Sequence, residues 1–304
     1  MSRAPADVVD AAPATAARAR LTRRQLFRRL AAYAAAPAIL GTYATQIEPF
    51  WAEFHEITLP VANLPRSFSG FRIAHLTDMH AGRTPFEFLQ RVVARVKSLA
   101  PDLLCVTGDL VHHNVDWVDA VSRLLGQCGI PVVVSFGNHD YGVDRGDEEP
   151  SDPQLPVKLH AALIRNGCTV LLNASTSITR DNSRLWIVGL DDLWFGDFSP
   201  PRAFADVPRD QSEPVIAMSH NPDTAGAVDR HRPDLILAGH THGGQVRLPG
   251  IGALYLNTEN RQLDQGMFRM NHGSPLYVSR GIGYIRRIRF DCRPEVPVFK
   301  LVCA

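Results

Sequence analysis

Phe71-Arg72-Ile73-Ala74-His75-Leu76-Thr77-Asp78 is the stretch that decides the fold. Phe71, Ile73, Ala74 and Leu76 make a short apolar run that stops at a polar Thr-Asp pair. That is the pattern of a buried strand running into a loop. Just downstream, Thr84-Pro85-Phe86-Glu87 has the form of a capping box with proline at the first helical position. Phe86, Leu89, Val92, Val93, Val96 and Leu99 then recur at helical spacing, and Pro101 closes the helix. Leu103–Thr107 is a second compact apolar run, residues 115–126 a second helical pattern, and Pro131–Phe136 a third strand. This β-α-β-α-β rhythm predicts an α/β fold with a parallel sheet and crossover helices.

Outward from there the pattern continues less regularly. Residues 157–166 read as a helix, and Thr169–Leu172, Leu185–Leu190, Val215–Met218 and Leu235–Ala238 as strands, with a helix near 224–231. Beyond Gly243 the chain is Gly-rich and β-like through Leu254–Leu256, Leu276–Ser279 and Val296–Val302, while Met267, Phe268 and Met270 alternate as in a strand. Segments 141–156 and 195–214, with several Pro and acidic residues, read as surface loops. No internal repeat is visible, and no clean domain boundary follows residue 56.

The chain has 304 residues, enough for one large domain or two small ones with a real core. Its formal net charge of +1 hides a split. Residues 1–29 hold seven Arg and two Asp, a net charge of +5, which leaves −4 on the rest. An acidic body without a basic stripe is not expected to bind nucleic acid. The five cysteines are far apart and form no CxxC pair, which argues against a disulfide framework or a cysteine-held zinc.

Residues 1–50 read as an address. Thr22-Arg23-Arg24-Gln25-Leu26-Phe27 precedes an uncharged, Ala-rich stretch from Leu30 to Ile47, interrupted by Pro37. A basic segment followed by a weakly apolar one describes an export signal of the twin-arginine type, or a membrane anchor. The working body is expected at residues 56–304.

The strand ends carry the chemistry. In order they are Asp78-Met79-His80, Gly108-Asp109, Gly137-Asn138-His139-Asp140, His220-Asn221-Pro222 and Gly239-His240-Thr241-His242. Taken singly, each has a plain reading: Gly-Asp is an ordinary turn, Asn-His-Asp a loop, His220 a satisfied core histidine. Taken together, all follow apolar runs, and ligands in open α/β sheets bind beyond the carboxyl ends of the strands. One metal needs three or four protein ligands; seven good candidates converging on one edge suggest two metals.

This order of blocks resembles the calcineurin-like metallophosphoesterases, and the likeness spans roughly residues 56–304. Gly239–Gln245 and Ser279–Gly283 look most like the bacterial branch with an export leader. The resemblance implies a four-layer αββα sandwich. It also implies that Asp78, His80 and His242 hold one metal, that Asn138, His220 and His240 hold the other, and that Asp109 bridges them. His139 would stabilise the transition state or protonate the leaving oxygen, with Asp140 either orienting it or capping the next turn. Arg280, in the Ser-Arg-Gly stretch, is a candidate substrate contact. The remaining Arg residues of the C-terminal segment read as a solvated strand face.

Mixed nitrogen and oxygen donors without thiolate suit Mn, Fe, Zn or Co. The expected activity is hydrolysis of a phosphodiester or phosphomonoester by in-line attack of a hydroxide bridging two divalent metals. The alternatives are a UDP-2,3-diacylglucosamine pyrophosphate hydrolase at the membrane and a non-catalytic metal-binding scaffold. The expected partners are the phosphate-ester substrate, the twin-arginine export machinery and, for an anchored form, a membrane. The expected location is periplasmic or membrane-anchored.

Overall fold

The computed structural model describes residues 22–210 and 212–304. It divides into two compact units, Met1–Gly41 and Thr42–Ala304. In the first, helix α1 (Arg23–Thr42) opens on a reciprocal cap. Thr22 Oγ1 accepts from the Gln25 amide at 3.2 Å, and Gln25 Oε1 accepts from the Thr22 amide at 3.0 Å. Arg3, Arg18 and Arg20 of the basic leader lie outside the described residues.

In the second unit the chain runs β1 (Glu53–Val61), β2 (Arg72–Leu76), α2 (Phe86–Ser98), β3 (Leu103–Thr107), α3 (Val118–Gly126), β4 (Val132–Ser135), α4 (Leu155–Arg165) and β5 (Thr169–Val170). It continues through β6 (Ala174–Arg180), β7 (Ser183–Gly189), β8 (Val215–Met218), β9 (Leu235–Ala238), the hairpin β10 (Arg247–Leu248) and β11 (Gly252–Ala253), then β12 (Gly266–Arg269), β13 (Pro275–Val278) and β14 (Glu295–Cys303). Two six-stranded sheets result, ordered β1-β14-β2-β3-β4-β5 and β12-β13-β9-β8-β7-β6. Strands β2 to β5 are parallel to one another, as are β7, β8, β9 and β13.

The layers follow from the two-residue period of a strand. In β3, Leu103 and Cys105 face the space between the sheets with Ile187, Met218, Leu237 and Phe299. Leu104 and Val106 face the other way, onto Leu89, Val93 and Val96 of α2 and Leu125 of α3. On the second sheet, Val188, Ala217 and Ile236 face outward onto Ala225 and Val228 of a short helical turn. Two sheets face to face with helical segments outside is the αββα sandwich, and the α/β expectation holds.

Three local expectations are corrected. The Thr84 capping box does not form: Pro85 takes the cap position with no side-chain bond, because Thr84 is buried and Thr84 Oγ1 has no partner. Leu254–Leu256 is not a strand; the β10–β11 hairpin ends at Ala253. Arg289 is not on a solvated face. It is wholly buried and donates to the carbonyls of Arg280, Gly283 and Cys292 at 2.7–2.9 Å, so its cation organises the 280–292 loop from within. All five cysteines are free.

The second unit also takes in residues 43–50. Glu48 is fully buried and accepts from the Cys292 amide at 2.6 Å, and the Ala44 carbonyl accepts from the Arg289 amide at 2.8 Å.

Candidate metal centre

Because β2, β3 and β4 run parallel in one sheet and β8 and β9 in the other, their carboxyl ends share an edge. The five polar segments leave those ends, and close approach is possible because glycine precedes the donors. A Cβ on Gly137 would sit 2.3 Å from Asp109 Oδ1 and 2.7 Å from the His220 ring. A Cβ on Gly239 would sit 2.5 Å from Asp78 Oδ2. Asp78, Asp109, His80, His240 and His242 all have positive φ, between 45° and 69°, so the turns aim the side chains at a backbone cost.

Two donor sets form. In the first, His242 Nε2 lies 3.3 Å from Asp78 Oδ1 and 3.0 Å from His80 Nε2. In the second, His220 Nε2 lies 3.2 Å from Asp109 Oδ2 and 3.2 Å from His240 Nδ1. Asp109 Oδ2 faces both: it is also 3.5 Å from His80 Nε2. Asn138 donates its amide to the Val143 carbonyl at 2.6 Å, which leaves Asn138 Oδ1 buried with no partner. A buried oxygen without a donor is costly unless something positive meets it.

The neighbouring backbone fixes the rings. His220 Nδ1 faces the Thr107 carbonyl at 2.7 Å, and His240 Nε2 faces the Asn257 carbonyl at 2.9 Å. A carbonyl only accepts, so each of those nitrogens carries hydrogen. In the neutral rings the lone pairs sit on His220 Nε2 and His240 Nδ1, the atoms turned towards the second set. Carboxylates, imidazoles, an amide oxygen and no thiolate are a donor set that fits a divalent transition metal.

Electrostatics shows how crowded this pocket is. Burial, together with the Asp109 charge, pushes Asp78 up to about 7. Burial opposes charge on Asp109 too, but the imidazoles of His220 and His139 hold its carboxyl well below the usual range. Burial likewise opposes charge on His220, and the Asp109 carboxylate overrides it, lifting the ring to about 10.

His139 stands beside these sets. Its Nε2 is 3.4 Å from Asp144 Oδ1 and 3.9 Å from Asp109 Oδ2, its Nδ1 is buried without a partner, and burial lowers it to about 3. Asp140 does not orient it. Asp140 accepts from the amides of Gly137 at 3.0 Å and Leu110 at 2.8 Å, so it caps its own turn and ties the Asp109 loop to the Asn138 loop. Arg280 is not brought to the donors. Its guanidinium sits between Glu53 and Glu295 at 2.7 Å each, in a cleft lined also by Arg95 and Arg293. The Ser-Arg-Gly turn serves the donor edge through Gly281, where a Cβ would lie 2.6 Å from Asp78 Cβ.

Sequence reasoning missed three residues. His112 and His113 stack on His139 with ring centroids 4.8 and 4.4 Å away, and Asp144 reaches His139 from an exposed loop. The adjacent His pair just after Gly108-Asp109 was a usable signal. Asp144, in a polar loop, gave none.

The donor edge opens into a cleft of about 680 Å³ that holds Asp109, His139, His240 and His242 on one side. Residues 71–244 match the calcineurin-like phosphoesterase family, a span that includes all five strand-end segments. Phosphodiesterase YaeI of Escherichia coli is 32% identical, over 93% of this chain and 100% of its own length. UDP-2,3-diacylglucosamine pyrophosphatase LpxG of Chlamydia trachomatis is 30% identical, over 86% of this chain and 93% of its own. An uncharacterized metallophosphoesterase of Bacillus subtilis, YkuE, is 30% identical, over 93% and 98%. A family match over residues 71–244 and similarity that runs nearly end to end have one meaning: this chain belongs to the calcineurin-like phosphoesterase family, the metal-dependent phosphoester hydrolases.

Proposed function

We propose that the chain is a binuclear phosphodiesterase. In this reading Asp78, His80 and His242 hold one divalent metal, Asn138, His220 and His240 the other, and Asp109 both. The observation that carries it is Asp109 Oδ2, a single oxygen 3.2 Å from His220 Nε2 and 3.5 Å from His80 Nε2. Two bound cations would neutralise the phosphate oxygens and lower the pKa of a water towards neutrality. The chain's own part is positional. The paired sets fix the phosphate at the strand edge, and His139 presents a ring nitrogen to the ester oxygen that leaves. The metals expected are Mn, Fe, Zn or Co.

The test is a screen of the metal-loaded full chain against an aryl phosphodiester, an aryl monoester, nucleotides and UDP-2,3-diacylglucosamine. The diester is expected to turn over fastest, with loss of activity on chelation and recovery on adding Mn. Release of UMP as the preferred reaction would favour the pyrophosphate hydrolase, a reading supported by the LpxG relative. Two metals bound and no substrate hydrolysed would favour a scaffold.

We also read residues 1–50 as a twin-arginine address that exports the body or leaves it anchored at the membrane. The Arg23-Arg24 pair at the start of α1, followed by Leu26-Phe27, supports this. Among the described residues no helix is long and apolar enough to cross a membrane. With Arg23→Lys and Arg24→Lys together, export of the full chain is expected to fall at least tenfold in cell fractionation, since a twin-arginine signal is read through that pair. Unchanged export would exclude this route.

A further inference from the structure

The cleft above the donors has two unlike sides. One is the polar edge already described. The other holds Val246, Leu254, Tyr255, Ile285 and Ile288, and Arg286 and Arg145 line the same cleft. Leu254 is 54% exposed and Tyr255 66% exposed. Large apolar side chains contiguous with a polar site and left open to water call for a ligand with an apolar part.

This wall is fixed in place relative to the donors. Gln245 follows directly on the His240–Gly244 loop. It donates through Nε2 to the carbonyls of Arg286 at 2.7 Å and Ile288 at 2.6 Å, and its Oε1 accepts from the Ile285 amide at 2.9 Å. The Phe290 amide donates to the Gln245 carbonyl, and the Arg247 amide to the Phe290 carbonyl, both at 2.9 Å. The segment that ends in two donor histidines therefore also suspends the apolar wall.

We propose that the cleft takes a phosphodiester bearing a long alkyl or acyl chain, with the phosphate at the His139 side and the chain along Val246, Leu254, Tyr255, Ile285 and Ile288. The proposal rests on the phosphodiesterase reading and names its substrate class. Arg286 and Arg145 supply positive charge at the same cleft for the phosphate oxygens.

The test uses the metal-loaded full chain and 4-nitrophenyl n-alkyl phosphodiesters with methyl, butyl and octyl groups, each below its micelle concentration. Burying one methylene fully is worth roughly fourfold in affinity. A chain lying along an open wall is partly covered, so kcat/KM is expected to rise at least tenfold from methyl to octyl. In the double variant Leu254→Asp, Tyr255→Ser the octyl-to-methyl ratio is expected to fall towards one. Both residues are at the surface, and the ratio within one variant is independent of how much of it is active. A flat ratio in the wild type, with the methyl ester hydrolysed, would overturn this proposal and leave the phosphodiesterase reading standing. A ratio that survives the double variant would also overturn it. No hydrolysis of any ester, methyl included, would overturn the underlying reading and this one with it.

Discussion

Asp109→Asn is expected to release both metals together and to abolish turnover. The carboxylate presents one oxygen to two donor sets, and its other oxygen accepts from the His139 amide at 3.0 Å. Asparagine keeps that shape, so the loops should stay in place, but it removes the negative charge. Two unit charges 4 Å apart near an effective dielectric of 20 interact by about 4 kcal/mol, which is a floor for a divalent ion. That is on the order of a thousandfold in affinity. Each divalent ion should therefore bind on the order of 10³-fold more weakly, and both should be lost on dialysis under conditions where the wild type keeps two. Elemental analysis with a thermal melt reads this directly. Loss of one metal with the other retained would contradict a shared ligand.

His139→Ala makes the opposite split. His139 is a neighbour of the donor Asn138, but its Nε2 lies beside Asp144 and the cleft rather than within either metal set. The variant is expected to retain both metals and lose about 10² to 10⁴ in kcat, the range typical of a positioned proton donor or acceptor. The loss should depend on the leaving group. A 4-nitrophenolate departs without help, whereas an alkoxide needs a hydrogen bond or a proton as it leaves. The variant should therefore lose more on poor leaving groups, and a plot of rate against leaving-group pKa should steepen. Full activity at equal metal content, or an equal loss for all leaving groups, would remove His139 from this role.

What could be read from the sequence follows from how deeply each element is buried. β3, β4, β8 and β9 are wholly buried, so they appear as unbroken apolar runs of three or four residues that end where the chain turns polar. Those endings carry the Asp, Asn and His side chains that the fold gathers at one edge, so their meeting could be read from the sequence. β1 was not, because most of its residues are half-buried or exposed and it pairs over its whole length with β14, at the other end of the chain. β6, rich in Ser and Thr, lies at a sheet edge and shows no apolar alternation. The buried Arg289 and the cleft wall were hidden for a different reason. Both depend on side chains bonding to carbonyls about ten to forty residues away, which leaves no local period. Arg280 misled because its motif matters for Gly281 and not for its own charge.

The left-handed backbone at Asp78, His80, Asp109, His240 and His242 has an evolutionary consequence. Each such residue holds roughly 1–3 kcal/mol of strain that glycine would release. The rest of the sandwich must carry that load in every generation. In the metal-free chain, selection for heat resistance alone would therefore favour glycine at these five positions, and only a bound metal, by stabilising the folded state, would reverse that preference.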